Sequence, residues 1–174
     1  MKNLFLTGEI GAGKSTVIRK TLALLPPIVC GGFRTVSVPA AQGALLEVYL
    51  EKAWEKTPQD LGHLVGTRFG FGRFTAYPKV FDSIGASILA YPPPDAALII
   101  MDELGVMEND AAEFRKAVMN TLSGALPVLG VIKPKNTDFL DAVRAHERSE
   151  IFEVTDRNRN GLPQILAEKL LAVL

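Results

Sequence analysis

Hydrophobic residues fall into two patterns along this 174-residue chain. Residues 3–7 and 128–132 are short apolar blocks without alternation, and residues 96–103 form a longer one that ends in Asp102-Glu103. Blocks of this kind predict strands covered on both faces, as in a central parallel sheet. Other segments repeat their apolar positions every three or four residues. Residues 16–25 do so through Val17, Ile18, Leu22 and Leu25, and residues 110–123 through Phe114, Ala117, Val118 and Leu122. Both predict helices with one buried face, the first halted by Pro26-Pro27. Further helices are predicted over 79–90, from a Thr137 or Asp138 cap to about Ala145, and over 162–174. Residues 28–38 are rich in β-branched side chains and predict a strand broken near Gly31-Gly32. A hairpin loop at 39–43 leads to a third strand over 44–50, and 151–154 predict a last short one. Strands alternating with helices predict an α/β fold, a mostly parallel sheet with helices on both faces.

Residues 51–78 are the least regular stretch. They hold Trp54, Pro58, several glycines and the run Phe69-Gly70-Phe71-Gly72-Arg73-Phe74. That alternation suits a lid over a ligand or a tight strand corner packed on the core, and the corner is the better fit. No repeat, low-complexity segment or linker interrupts the chain, and its length predicts one domain spanning residues 1–174. Acidic and basic residues balance at 19 each, with a pI near 6.7, so no overall charge draws the chain to nucleic acid or an anionic membrane. No apolar run approaches the length of a membrane span. Met1-Lys2 leads straight into the first strand, without the apolar region of a signal peptide. Cys30 is the sole cysteine, lies among apolar residues, and reads as a small buried residue. These features predict a cytoplasmic protein. His63 and His146 have no metal-spaced partners, and no Cys/His cluster suggests zinc.

Candidate chemistry is concentrated in Gly8-Glu9-Ile10-Gly11-Ala12-Gly13-Lys14-Ser15, which fits G-x-x-x-x-G-K-S between a predicted strand and a predicted helix. Glycines let successive backbone amides turn inward around phosphate oxygens, and the helix that follows points its positive end at the same anion. Lys14 supplies a mobile charge for the outer phosphates, and the Ser15 hydroxyl can hold Mg²⁺. In parallel sheets ligands bind at the carboxyl ends of the strands. Asp102 ends one such strand and can hold Mg²⁺ directly or through water. Its neighbour Glu103 can take a proton from an attacking water. Lys133 and Lys135 follow another strand, where they either reach a terminal phosphate or belong to a solvated loop. Residues 155–160 follow the last strand, and their polar side chains either contact base and ribose or cap the closing helix.

With these stretches in order, the chain resembles the small P-loop nucleoside-triphosphatases first described from thermophiles, whose vertebrate member is called the cancer-related nucleoside-triphosphatase. The resemblance rests on Leu6-Thr7-Gly8 through Lys14-Ser15-Thr16, Gly31-Gly32-Phe33 with Thr35, and Gly72-Arg73-Phe74. It continues through Met101-Asp102-Glu103-Leu104-Gly105 with Met107-Glu108, Phe114 with Ala117-Val118, residues 127–132, and Val154-Thr155 with Asn158-Arg159. Val106 departs from the family's usual Lys, Arg34 from a common aromatic, and residues 38–70 match loosely. The resemblance implies a RecA-like P-loop three-layer sandwich that hydrolyses ATP, GTP and other nucleoside triphosphates with Mg²⁺ as cofactor. It also supports Asn158 and Arg159 as nucleotide contacts, beside Gly8, Glu9, Ile10, Gly11, Ala12, Gly13, Lys14, Ser15 and Thr16.

The sequence thus predicts in-line attack of water on the γ-phosphate. Lys14 and the loop amides offset charge, Ser15 and Asp102 place the metal, and Glu103 is the base. Two other readings stay open. One is a small-molecule or nucleotide kinase, which usually needs several arginines on a lid, where this chain has Arg68 and Arg73. The other is a nucleotide-controlled switch, in which partner binding matters more than turnover.

Overall fold

The computed structural model describes residues 3–41, 45–70 and 73–174. Met1-Lys2, Gln42-Gly43 of the predicted hairpin loop, Ala44 at the start of the predicted third strand, and Phe71-Gly72 lie outside the described residues. Along the chain run β1 (Asn3–Thr7), α1 (Lys14–Ala23), β2 (Val29–Pro39), β3 (Leu45–Lys52), β4 (Leu64–Phe69) and β5 (Arg73–Ala76). A helical stretch follows, made of α2 (Pro78–Val80), a π turn (Phe81–Gly85) and α3 (Ala86–Ala90). Then come β6 (Ala96–Leu104), α4 (Ala112–Ser123), β7 (Val128–Ile132), α5 (Asp138–Ala145), β8 (Ser149–Glu153) and α6 (Leu162–Leu171).

The strands form one sheet in the order β5-β4-β3-β2-β6-β7-β1-β8. From β2 to β8 every pairing is parallel, whereas β3, β4 and β5 extend the β2 edge as an antiparallel meander. One face of the sheet packs Val17 and Ile18 of α1 and Leu162, Leu166 and Leu170 of α6 against Leu4, Leu6, Leu98, Ile100 and Leu129. The other packs Phe81, Ile88, Phe114, Val118, Phe139 and Leu140 against Phe5, Phe33, Ile99 and Met101. Helices on both faces bury both, which is why β1, β6 and β7 read as unbroken apolar runs. Two helix starts are capped by side chains. The Thr137 side chain accepts from the Leu140 amide at 3.2 Å, and Asp82 Oδ1 accepts from the Phe114 amide at 3.0 Å, capping α4 from a different helix.

Three sequence expectations differ from the fold. The strand predicted to break at Gly31-Gly32 runs through both glycines, with its register shift earlier, between Val29 and Cys30. The irregular stretch contains two further strands, β4 and β5, and Gly70 turns the chain between them at φ 56°. The predicted 79–90 helix carries a π turn, where Gly85 lets the Phe114 ring approach; a Cβ there would stand 2.7 Å from it. No helix among the described residues is long and apolar enough to cross a membrane.

Candidate active site

Strand order brings the candidate residues together. Because β7 lies between β6 and β1, with β8 on the far side of β1, four carboxyl ends open on one rim. The Gly8–Ser15 loop follows β1, Asp102-Glu103 lies at the end of β6 just before its last residue, Leu104, Lys133 follows β7, and the 155–160 loop follows β8. Gly8 (φ 134°) is the tight point between loop and neighbouring strand: a Cβ there would lie 2.7 Å from the Val154 carbonyl oxygen.

A cavity of about 430 Å³ is lined by the loop from Gly8 to Thr16, with Arg68, Glu103, Lys133 and Lys135 on its other walls. Lys14 Nζ donates to the Gly8 and Glu9 carbonyls, both at 2.7 Å. Ser15 Oγ donates to Asp102 Oδ1 at 3.4 Å. Burial pushes the Asp102 carboxyl above its ordinary value and Glu103 adds to that push, while the Ser15 hydroxyl, Arg34 and Lys14 oppose it. A desolvated carboxylate beside a hydroxyl is the hard-oxygen pair that suits Mg²⁺, and nucleotide-bound Mg²⁺ usually takes only one or two protein ligands. The donor set therefore fits that ion, although no cluster of three or more His, Cys, Asp or Glu side chains occurs among the described residues.

The two acids do different things. Glu103 pairs with Lys133, Oε1 to Nζ at 2.8 Å, with both side chains partly buried. Thr35 ties their backbone to β2, its hydroxyl donating to the Asp102 carbonyl at 3.5 Å and accepting from the Glu103 amide at 3.3 Å. Below the pair lies Glu108, 2% exposed. Its Oε2 accepts from the Gly105 amide at 3.1 Å, and burial pushes its carboxyl up to about 7.

Beyond β8, Asn158 is occupied within its own loop. Its Oδ1 accepts from the Thr155 amide and its Nδ2 donates to the Glu153 carbonyl, both at 2.8 Å. Arg159 pairs with Asp156 at 2.9 Å, and its Cδ lies 3.9 Å from where a Cβ on Gly13 would be. A second concavity beside the loop runs between Glu9–Ala12 and residues 153–156. The structure thus sets Arg159 against the phosphate loop and gives Asn158 a loop-shaping position. Sequence reasoning did not single out Thr35, Glu108 or Arg68 for the site. Glu108 stands in the Met107-Glu108 stretch of the resemblance, five residues past Glu103, but its burial is a property of the fold, and Arg68 reaches the cavity only through the meander.

The sequence and the fold have counterparts. Residues 3–167 match the family described as NTPase. The nucleoside-triphosphatase THEP1 of Methanosarcina barkeri is 30% identical, the match covering 97% of each chain. That of Natranaerobius thermophilus is 26% identical, over 97% of this chain and 96% of the relative. Two solved structures share the fold. The crystal structure of THEP1 from Aquifex aeolicus has a TM-score of 0.72 at 21% identity, over 98% of this chain and 99% of that one. The solution structure of a human cancer-related nucleoside triphosphatase has a TM-score of 0.68 at 24% identity, over the full length of both.

Proposed function

The chain belongs to the NTPase family of small P-loop nucleoside-triphosphatases, and we propose that it hydrolyses ATP, GTP and other nucleoside triphosphates with Mg²⁺, as one domain over its whole length. The observation that carries this reading is Glu103 standing on the wall of the loop's own cavity while Asp102 turns to Ser15. One acid meets Ser15, and the other, paired with Lys133, borders the space where a water beyond the terminal phosphate would stand.

In this reading, the backbone amides from Gly8 to Thr16 surround the phosphates and Lys14 leaves its two carbonyl partners for phosphate oxygens. Ser15 and Asp102 would hold Mg²⁺, which supplies positive charge to the outer phosphates when bound. Water attacks the γ-phosphorus in line, its proton passing to Glu103. The bond to the bridging oxygen breaks, and the nucleoside diphosphate leaves with that oxygen, giving inorganic phosphate. Lys133 orients the Glu103 carboxylate through the 2.8 Å pair. Asn158 shapes the rim on the base and ribose side, and Arg159 supplies a face against which the nucleoside rests. A cavity lined mainly by the phosphate loop fits broad base tolerance. A cytoplasmic setting fits the balanced charge and the lone Cys30.

A panel assay of phosphate release from ATP, GTP, CTP and UTP tests the reading, run with Mg²⁺ and with and without phosphoryl acceptors. Release from all four without an acceptor is expected. Glu103→Gln keeps shape and one acceptor oxygen but removes the basicity, so kcat should fall by about 10²–10⁴-fold. Affinity for a non-hydrolysable ATP analogue should stay within a few-fold. Acceptor-dependent transfer with little free phosphate would make the protein a kinase. A Gln variant working at the parental rate would remove Glu103 from the role of base.

A further inference from the structure

We propose that Arg68 is a catalytic arginine supplied by the chain to its own site, reaching across the cavity from the β4 strand to the terminal phosphoryl group as charge develops there. The inference rests on the site reading above and adds a residue to it.

Register places the side chain. Arg68 pairs with Leu46 on β3 and with Phe74 on β5, and two residues earlier Gly66 pairs with Val48, itself opposite Ser37 on β2. Cross-strand partners share a face, so Arg68 lies on the same face of the meander as Ser37 and Val48. That face continues to the acid pair: Thr35, Ser37, Val48, Arg68, Glu103 and Lys133 line a second, smaller cavity beside the first. Arg68, Glu103 and Lys133 are common to both cavities, forming the wall between them. The meander therefore folds forward over the rim and delivers one guanidinium opposite the phosphate loop.

The accounting of positive charge around the cavity singles out this residue. Lys14 is held by two loop carbonyls, and Lys133 by Glu103. Lys135 is exposed on the outer lip. Arg68 is partly buried, and its guanidinium has neither an ion pair nor a hydrogen bond among the described residues. A guanidinium partly withdrawn from water without a counter-ion is suited to an anion arriving from outside. Its planar fork can bridge two oxygens of a phosphoryl group, which a lysine cannot reproduce. The strand beneath it is firm: a Cβ on Gly66 would lie 3.2 Å from Met107 Sδ, so β4 is packed close to the loop after β6.

Steady-state phosphate release from Mg·ATP by the parent, Arg68→Ala and Arg68→Lys tests the proposal, with Lys14→Ala and Glu103→Gln alongside. Arg68→Ala should lose kcat on the order of 10³-fold, the lower end of what such an arginine supplies. Affinity for a non-hydrolysable ATP analogue should stay within a few-fold, while binding of ADP with aluminium fluoride weakens in step with kcat. Arg68→Lys should recover only a small part, and added guanidinium ion should restore part of the Ala variant's rate. The urea unfolding midpoint should match the parent's, since no ion pair is lost. If the Ala variant does not fold, the kcat of Arg68→Lys decides, and a rate within threefold of the parent overturns the proposal. A near-parental Arg68→Ala beside inactive Lys14→Ala and Glu103→Gln overturns Arg68 alone. Parental rates in all three overturn the site reading, and Arg68 with it. Equal losses of analogue affinity and kcat/KM would make Arg68 a binding residue, contrary to the proposal. Activity regained on mixing Arg68→Ala with Glu103→Gln chains would show an arginine acting between chains, and would overturn its action within one.

Discussion

Glu108→Gln isolates the carboxyl that the fold buries behind the acid pair. Burial raises its pKa to about 7 from an ordinary 4.5, against the opposing pull of its own and the Gly105 amides and of Lys133, and with a smaller push from Glu103. The unfolded chain releases this proton near the ordinary value. Between about pH 4.5 and 7 the folded state therefore keeps a proton that the unfolded state has lost, and stability falls as pH rises through that window. Below the window the group is neutral in both states and nothing is lost; above it the loss has its full size. At about 1.4 kcal/mol per pH unit, the window amounts to about 3 kcal/mol. Gln has nearly the same volume, still offers an oxygen to the Gly105 amide, and does not ionise. Urea unfolding of the nucleotide-free protein, followed by fluorescence of the single Trp54, measures both chains from about pH 5 to about pH 8.5. The curves should differ by less than about 1 kcal/mol near pH 5 and diverge above it, with the variant more stable by about 3 kcal/mol at pH 8. Titrations elsewhere are shared, so the difference belongs to this carboxyl. A constant offset across the range would refute the burial argument. A variant less stable than the parent above pH 7 would show that the ionised carboxylate gains more from Lys133 than it loses in hydration.

Other substitutions reach different parts of the site. Asp102→Asn should raise the Mg²⁺ concentration needed for half-maximal phosphate release by tenfold or more (roughly 1.4 kcal/mol), read from a metal titration at saturating ATP; an unchanged titration would put the metal elsewhere. Changing Asn158 and Arg159 together to Ala should raise KM, or shift preference among the four nucleotides, more than it lowers kcat; an ATP-bound structure with residues 155–160 far from the nucleoside would rule this out. Gly32→Ala should destabilise by about 4 kcal/mol or more, measured by urea unfolding, because Gly32 has φ 89° and a Cβ there would run into the Ile100 carbonyl oxygen of the neighbouring strand. A stable, active Ala variant would mean that β2 and β6 separate more easily than their packing implies.

The parts of the site legible in the sequence are those whose chemistry is local. Eight consecutive residues, Gly8 to Ser15, carry the phosphate loop because backbone turns and a helix start are decided over one or two turns of chain. Asp102-Glu103 stood out because a long apolar run stopped at two acids, and such a run needs both faces of its strand covered. The meander was only partly legible. β4 and β5 are short and lie at or next to the sheet edge, with Gly66 inside β4 and Gly70 in the turn after it, so their side chains follow no strong period. Gly31-Gly32 read as a break for the converse reason. A glycine pair usually weakens a strand, but here the close approach of Pro92 and Ile99 to Gly31, and of Ile100 to Gly32, leaves no room for side chains.

By itself, then, the sequence determined the layers of the fold, the phosphate loop and the two acids, since each depends on residues adjacent in the chain or on one period of burial. Only the tertiary structure decided which of those acids meets Ser15 and which meets Lys133, that Glu108 loses its water, and that Arg68 faces the loop from 52 positions beyond Thr16. Those outcomes follow from strand order and register, which bring distant residues onto one rim and remove solvent from some of them. Charge, hydration and proton affinity depend on what surrounds a group in space, and a linear pattern of polar and apolar positions does not contain that information.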